Sequence, residues 1–255
     1  MHHQKILTFG LYLLFSLVSC SLLADATIVA VASNFTKPMN DIAAAFEKST
    51  GHSAKLSFGS SGKFVSQIEN GAPFEVFLSA DESAPAKLEK DGFAVSGSRF
   101  TYALGKLVLW SAQPGLVDAQ GQVLSTGSFK HLAIADPKLA PYGAAAIDYL
   151  KRVNLIEKLQ PLLVFGENIT QTQQFISTGN AELGFVALSQ VIENGKISSG
   201  SGWIVPSEQY STIRQGALLL QAGAENPAAT ALLKFLKSPE ALTIIRKYGY
   251  DLAEK

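Results

Sequence analysis

Apolar runs of strand length alternate with segments of helical period along most of this chain. Residues 27–32 are apolar and rich in β-formers, the pattern of a buried strand. Met39, Ile42, Ala43 and Phe46 then recur at i, i+3, i+4 and i+7, which marks one face of a helix. Pro38 suits its first turn, and Asn34 or Thr36 is placed to cap it. Residues 54–58 predict a second strand, and Phe64, Val65 and Ile68 a helix that Gly71 ends. A strand at 76–79 and a helix through 84–90 follow. Residues 102–110 read as one long strand interrupted at Gly105. Strands at 131–135, 162–165 and 183–187 alternate with helices at 144–153 and 170–177, the latter ending near Gly179. Residues 210–221 are extended, and helices at 228–235 and 240–248 close the chain. Residues 198–202, all Ser and Gly, read as a flexible loop. The alternation predicts an α/β fold with mostly parallel strands and no solenoid repeat.

The first residues break this pattern. Lys5 is the one clear charge before an apolar run over 6–23, and Ala24 and Ala26 follow with Asp25 between them. This is the charged, apolar and A-x-A arrangement of a secretory signal peptide, residues 1–24, so the chain is expected to be exported. The run approaches membrane-spanning length, but no later segment is comparably apolar. Cleavage would remove the only cysteine, Cys20, and leave a domain without thiol or disulfide. Leu17-Val18-Ser19-Cys20 also resembles the lipobox of bacterial lipoproteins, which makes a lipid anchor at Cys20 the alternative.

Composition narrows the class. The chain has 255 residues, is 47% hydrophobic and 16% charged, and carries a net charge of +0. That suits an ordered protein of one or two domains and leaves no basic footprint for nucleic acid.

The candidate chemistry lies in four small-polar clusters, each after an apolar run and before a helical segment. They are Ala32-Ser33-Asn34-Phe35-Thr36, Ser57-Phe58-Gly59-Ser60-Ser61-Gly62, Pro141-Tyr142-Gly143 and Glu167-Asn168-Ile169-Thr170. Helix starts carry free N–H groups and the positive end of the dipole, and hydroxyls and amides add donors. Several starts aimed at one point would hold an oxyanion without Lys or Arg. Two clusters precede residue 105 and two follow it, which suggests two lobes with a site between them. Taken singly, Ser33, Asn34, Ser60 and Ser61 are ordinary helix caps. Tyr142 is an ordinary loop aromatic, Ile169 offers only a backbone N–H, and Glu167 favours the following dipole without touching ligand.

Catalytic constellations are missing. His2 and His3 leave with the signal, His52 sits in a turn and is expected to be solvated, and His131 precedes a strand in a structural role. No G-x-S-x-G elbow surrounds a serine. Residues 59–63 fail as a phosphate loop, because Ser57 stands where the first Gly belongs and Phe64 follows Lys63. No His/Cys cluster suggests a metal site, so neither an enzyme nor a cofactor is expected.

The chain resembles the periplasmic molybdate-binding proteins that serve ABC importers. The first stretches that carry the likeness are Val31-Ala32-Ser33-Asn34-Phe35-Thr36, Ser57-Phe58-Gly59-Ser60-Ser61-Gly62 and Gly71-Ala72-Pro73-Phe74-Glu75-Val76-Phe77-Leu78-Ser79-Ala80-Asp81. They continue with Ala135-Asp136-Pro137-Lys138-Leu139-Ala140-Pro141-Tyr142-Gly143, Leu183-Gly184-Phe185-Val186 and Lys247-Tyr248-Gly249-Tyr250. The resemblance implies a two-lobed periplasmic-binding-protein fold of type II kind, with the ligand in the cleft. It implies a first lobe of residues 27–104 plus 215–255 and a second of 105–214. It maps ligand contacts onto Ser33, Asn34, Ser61, Tyr142 and Ile169, with the metal bound only as its oxyanion. Some members place a tyrosine hydroxyl where this chain has Ala187; others supply it where Tyr142 stands, and this chain resembles the second type.

The implied ligand is molybdate or tungstate, and the implied partner is an inner-membrane permease reached from the periplasm by a monomeric binding protein. A doubly deprotonated tetrahedral anion has only acceptors and suits a donor-only site. Hydrogen phosphate carries a proton that such a site leaves unpaired. A binder of sulfate or another oxyanion is the alternative. Further alternatives are an exported serine hydrolase using Ser61 without a credible base, and a regulator's effector lobe without its DNA-binding end.

Overall fold

The computed structural model describes residues 25–127 and 129–253; the expected signal segment and Cys20 lie outside them. The chain begins with β1 (Ala26–Ala32), α1 (Thr36–Thr50), β2 (Ser53–Gly59), α2 (Ser61–Glu69), β3 (Val76–Leu78) and α3 (Ser83–Lys90). It continues with β4 (Phe100–Gly105), β5 (Leu107–Ser111), α4 (Val123–Thr126), β6 (Leu132–Ala135), α5 (Pro141–Arg152) and α6 (Ile156–Leu159). Next come β7 (Leu163–Gly166), α7 (Ile169–Ser177), β8 (Leu183–Ala187), α8 (Leu188–Val191) and a hairpin of β9 (Ile192–Glu193) with β10 (Lys196–Ile197). The last elements are β11 (Ser201–Ile204), β12 (Ile213–Leu219), α9 (Pro227–Phe235) and α10 (Pro239–Lys247).

Two five-stranded sheets organise these elements, in the orders β2-β1-β3-β12-β4 and β11-β5-β8-β6-β7. Each is half parallel and half antiparallel, not mostly parallel as expected. β1 runs parallel to β2 and β3, and β6 parallel to β7 and β8. The antiparallel pairs involve the strands next to the chain's crossings between sheets: β12 with β3 and β4, and β5 with β8 and β11.

Both faces of each sheet are covered, which explains the apolar strands. Val29 and Val31 of β1 face α1, α9 and α10 with Met39, Ile42, Phe46, Leu232 and Ile245, whereas Ala30 faces Phe64 and Ile68 of α2 and Leu88 of α3. This is the two-residue alternation of a strand meeting the predicted stripe of α1. In the second sheet, Leu107 and Leu109 pack with Ala146 and Leu150 of α5, while Val108 and Trp110 face Ile176 of α7.

The structure also corrects several local expectations. Residues 102–110 form two strands in different sheets, with Lys106 between: Gly105 pairs with Ile213 of β12 and Leu107 with Ala187 of β8. A Cβ on Gly105 would lie 2.2 Å from the Tyr142 hydroxyl oxygen, so the crossing needs a residue without one. Residues 201 and 202, expected in a loop, belong to β11, because their backbone completes the edge beside β5. α5 starts at Pro141, three residues earlier than its apolar stripe suggests, with proline at the first helical position. Neither Asn34 nor Thr36 caps α1: Phe35 occupies that position without a side-chain bond, and Thr36 Oγ1 donates back to the Ser33 carbonyl at 2.8 Å. The chain returns from the second sheet to the first between Ile204 and Ile213, with β12 already paired to β4 at Ile213.

Candidate functional site

At the C-terminal ends of β1, β2, β6 and β7 the chain turns into a helix. Ser33 and Asn34, Ser60 and Ser61, Pro141 and Tyr142, and Asn168 and Ile169 all line one cavity, with Ala32, Gly59, Ala80 and Ala140 filling the gaps. The first two pairs come from the first sheet's side and the last two from the second's. None of these lining residues is charged. The cleft closes these residues around a small space with room for one small occupant.

The donors at each helix start are set by local chemistry. At α7, the Asn168 side chain accepts from Thr170 N–H at 3.0 Å and Gln171 N–H at 3.1 Å. The Ile169 N–H then remains, with no acceptor among the described residues. At α2, Ser61 Oγ accepts from Ala80 N–H at 3.0 Å. A hydroxyl that accepts keeps its proton to donate. Ser60 caps nothing with its side chain. At α5, Pro141 has no N–H, and Ala140 offers no side-chain cap. The Tyr142 N–H is the first donor there.

Behind the cavity lies a buried polar network that joins the two sheets. Gln215 of β12 accepts at Oε1 from Asn34 Nδ2 at 2.9 Å and lies 2.8 Å from the Tyr102 hydroxyl, which also reaches the Ser79 carbonyl at 3.1 Å. Its Nε2 donates to the Tyr142 hydroxyl oxygen at 3.3 Å. Asn34 Nδ2 donates a second time, to the Tyr250 hydroxyl at 2.9 Å. The Asn34 carbonyl accepts from Ser189 Oγ at 2.7 Å and Tyr250 Oη at 2.9 Å. Both amide hydrogens of Asn34 are therefore engaged inside the protein, and what Asn34 has left to offer a ligand is its backbone N–H. Burial pushes the phenols of Tyr102 and Tyr142 upward and Tyr250 to about 12, so all three stay protonated near neutral pH.

Direct bonds close the cleft over the cavity. Gly62 N–H donates to the Leu139 carbonyl at 2.9 Å, and a Cβ there would stand 3.1 Å from Leu139 Cα, so glycine permits the close approach. Lys37 Nζ donates to the Gln190 carbonyl at 2.8 Å. Lys63 pairs with Glu167 at 2.6 Å, both half exposed. Glu167 stands outside the cavity lining, and Ala187 is buried away from it with its N–H on Gln190. A larger open hollow of about 480 Å³ lies beside Asp81, Glu82, Asp148 and Arg214, of which Arg214 pairs with Glu82, Asp148 with Arg152, and Asp81 accepts from Ala84 N–H at 2.8 Å.

Of the expected site residues, Ser33, Asn34, Ser61, Tyr142 and Ile169 all meet at the cavity. The residues behind them, Gln215, Tyr102, Ser189 and Tyr250, were not singled out from the sequence as site residues. Gln215 is the one amide of β12, and unlike its exposed neighbour Arg214 it is fully buried. His52 is buried, not solvated. Its Nδ1 accepts from Asp25 N–H at 3.2 Å, and its ring stacks on Phe46. His131 donates its backbone N–H to the Glu182 carboxylate at 2.9 Å, and its side chain is half exposed. Among the described residues no group of three or more His, Cys, Asp or Glu could hold a metal ion.

Two α/β lobes closing on a small, uncharged, donor-lined cavity define the class of solute-binding proteins. The chain belongs to the family of bacterial extracellular solute-binding proteins, which it matches over residues 27–251. It is 59% identical to the molybdate-binding protein ModA of Azotobacter vinelandii over 236 residues, 92% of this chain and 94% of that one. It is 57% identical to the ModA of Rhodobacter capsulatus over 227 residues, covering 89% and 88%. The solved periplasmic molybdate-binding protein of Azotobacter vinelandii superposes with a TM-score of 0.87 at 45% identity, over 89% of this chain and 100% of that one. These relatives are binding proteins, and this chain is one too, not an enzyme.

Proposed function

We propose that this protein captures molybdate, or its near-isostere tungstate, after export and delivers it to an inner-membrane ABC permease. The first lobe is built on the sheet of β1–β4 and β12 and the second on the sheet of β5–β8 and β11, so the chain crosses at Lys106 and again before Ile213, and the oxyanion sits between them. The observation that carries the reading is the convergence of four helix starts on one small cavity without a charged side chain. Helix N-termini offer N–H donors and each hydroxyl can turn its proton toward a ligand, and a fully deprotonated tetrahedral oxyanion offers acceptors only. The contacts are the hydroxyls of Ser33, Ser61 and Tyr142 and the backbone N–H groups of Asn34 and Ile169. A closed cage discriminates by size, because a smaller anion leaves donors unpaired. The names of the relatives support molybdate as the ligand. Closure of the two lobes presents the permease with a surface that exists only when loaded.

Calorimetric titration of the mature protein with molybdate, tungstate, sulfate and phosphate tests the reading. Molybdate and tungstate are expected to bind much more tightly than sulfate or phosphate. Sulfate binding as tight as molybdate would overturn it.

A further inference from the structure

Ser60 stands at the N-cap of α2, in extended backbone with φ −80° and ψ 147°. Serine in this position normally turns its hydroxyl onto the N–H of the second or third helical residue. Here it makes no such bond. Ser60 is 3% exposed, and its Oγ has no hydrogen-bond partner although it is closed off from solvent. A buried hydroxyl without a partner is costly, and native proteins rarely leave one so. Ser60 also lines the cavity, beside Ser61 and opposite Tyr142 and Ile169. Thr27 Oγ1 shares the unpaired condition, but it sits on β1 and is not part of the cavity lining.

The two serines at this helix start divide their work. Ser61 Oγ is tied by Ala80 N–H, which fixes its lone pair and leaves its proton for the cavity. Ser60 Oγ is tied by nothing. We propose that Ser60 is a further ligand-contacting residue, whose hydroxyl donates directly to the bound oxyanion and gains its only partner when the ligand arrives. The proposal rests on the oxyanion reading given above and adds a contact to the set the resemblance implies.

The test is titration of Ser60→Ala and Ser60→Gly with molybdate, alongside melting of the ligand-free proteins. Glycine is tolerated at an N-cap, so the second variant stands if alanine disturbs the fold. Both variants are expected to bind molybdate about ten- to hundredfold more weakly, the effect of losing a hydrogen bond to a charged acceptor. Ligand-free melting is expected to hold or rise in Ser60→Ala, because no protein bond is lost. A role confined to helix stability predicts the reverse, a lower melting temperature with unchanged affinity. Wild-type affinity in either folded variant overturns the proposal, and so shows that water or nothing partners Ser60. Failure of the wild-type protein to bind any oxyanion in the panel would instead overturn the functional reading itself.

Discussion

Replacing Gln215 by methionine separates the energy that holds the first lobe together from the energy that holds the lobes shut. Methionine fills a similar volume without polar atoms. Two of the contacts of Gln215, with Asn34 Nδ2 and the Tyr102 hydroxyl, lie within the first lobe and exist whether the cleft is open or closed. Tyr102 keeps an acceptor at the Ser79 carbonyl, 3.1 Å away. Asn34 keeps its bond to Tyr250 but strands one buried N–H, at a cost of about 1–3 kcal/mol. The third contact, Nε2 to the Tyr142 hydroxyl, crosses between the lobes and is long at 3.3 Å, so opening of the cleft is expected to break it. Its net worth is about 0.5–1 kcal/mol, the lower part of the usual range for a neutral bond. Denaturant titration of ligand-free Gln215→Met is therefore expected to show a loss of about 1–3 kcal/mol. Calorimetry is expected to show molybdate binding only about two- to fivefold weaker, the second figure converted at 1.4 kcal/mol per decade. Full ligand-free stability would refute the network as a stabilising element. An affinity loss of a hundredfold or more would refute the partition and make Gln215 part of the binding surface.

Three other outcomes follow from the same geometry. Tyr142→Phe removes one hydroxyl and keeps the ring, so molybdate affinity is expected to fall by about 1–3 kcal/mol with only a small change in ligand-free melting; wild-type affinity would remove that hydroxyl from the site. Lys63→Met breaks an exposed pair that spans the cleft, so affinity is expected to drop by less than about 1 kcal/mol and the difference from wild type to vanish in high salt. The pH dependence has two parts. Affinity is expected to stay flat from about pH 6 to 9, because the lining carries no charged side chain and burial raises the Tyr142 phenol. Stability is expected to fall as pH rises from the ordinary phenol value near 10 toward about 12, where Tyr250 titrates in the folded protein. A phenol raised on folding stabilises fully below its unfolded value and loses that contribution above it, so a stability rise in that window would contradict the burial of Tyr250.

What could be read from the chain was what local pattern decides. The stripe Met39, Ile42 and Phe46 and the alternation of Val29, Ala30 and Val31 placed α1 and β1 correctly, because periods of 3.6 and 2 are properties of consecutive residues. The four polar clusters were legible for the same reason: a helix start is a matter of three or four neighbouring residues. The residues alone marked Gly105 only as an interruption of one strand, and it was the resemblance that put a lobe boundary there; the distant Tyr142 hydroxyl shows why no side chain fits. Residues 201 and 202 of β11 were read as a loop because serine and glycine carry little strand signal, whereas what holds this edge beside β5 includes Trp203 packed against the distant Tyr149. The network behind the cavity joins Asn34 to Gln215 across 181 residues and to Tyr250 across 216, so no window of sequence contains the pair.

The difference between what was legible and what was not bears on Asn34 and Ile169. From sequence, an asparagine at a helix start reads as a side-chain donor and an isoleucine as the source of a backbone N–H alone. In the structure both of Asn34's amide hydrogens are bonded within the protein, and the cap at α7 belongs to Asn168. Each position is left with the same thing to offer, a backbone N–H at the positive end of a helix. Side-chain identity then matters at Asn34 for the network that locks the lobe around the cavity, and at Ile169 for packing, since its side chain is buried in the second lobe's core. Only Ser33, Ser60, Ser61 and Tyr142 can present hydroxyls. On the proposed reading, selectivity among anions rests on a few hydroxyls added to a ring of backbone donors, and those donors hold their positions because the two sheets behind them are packed on both faces.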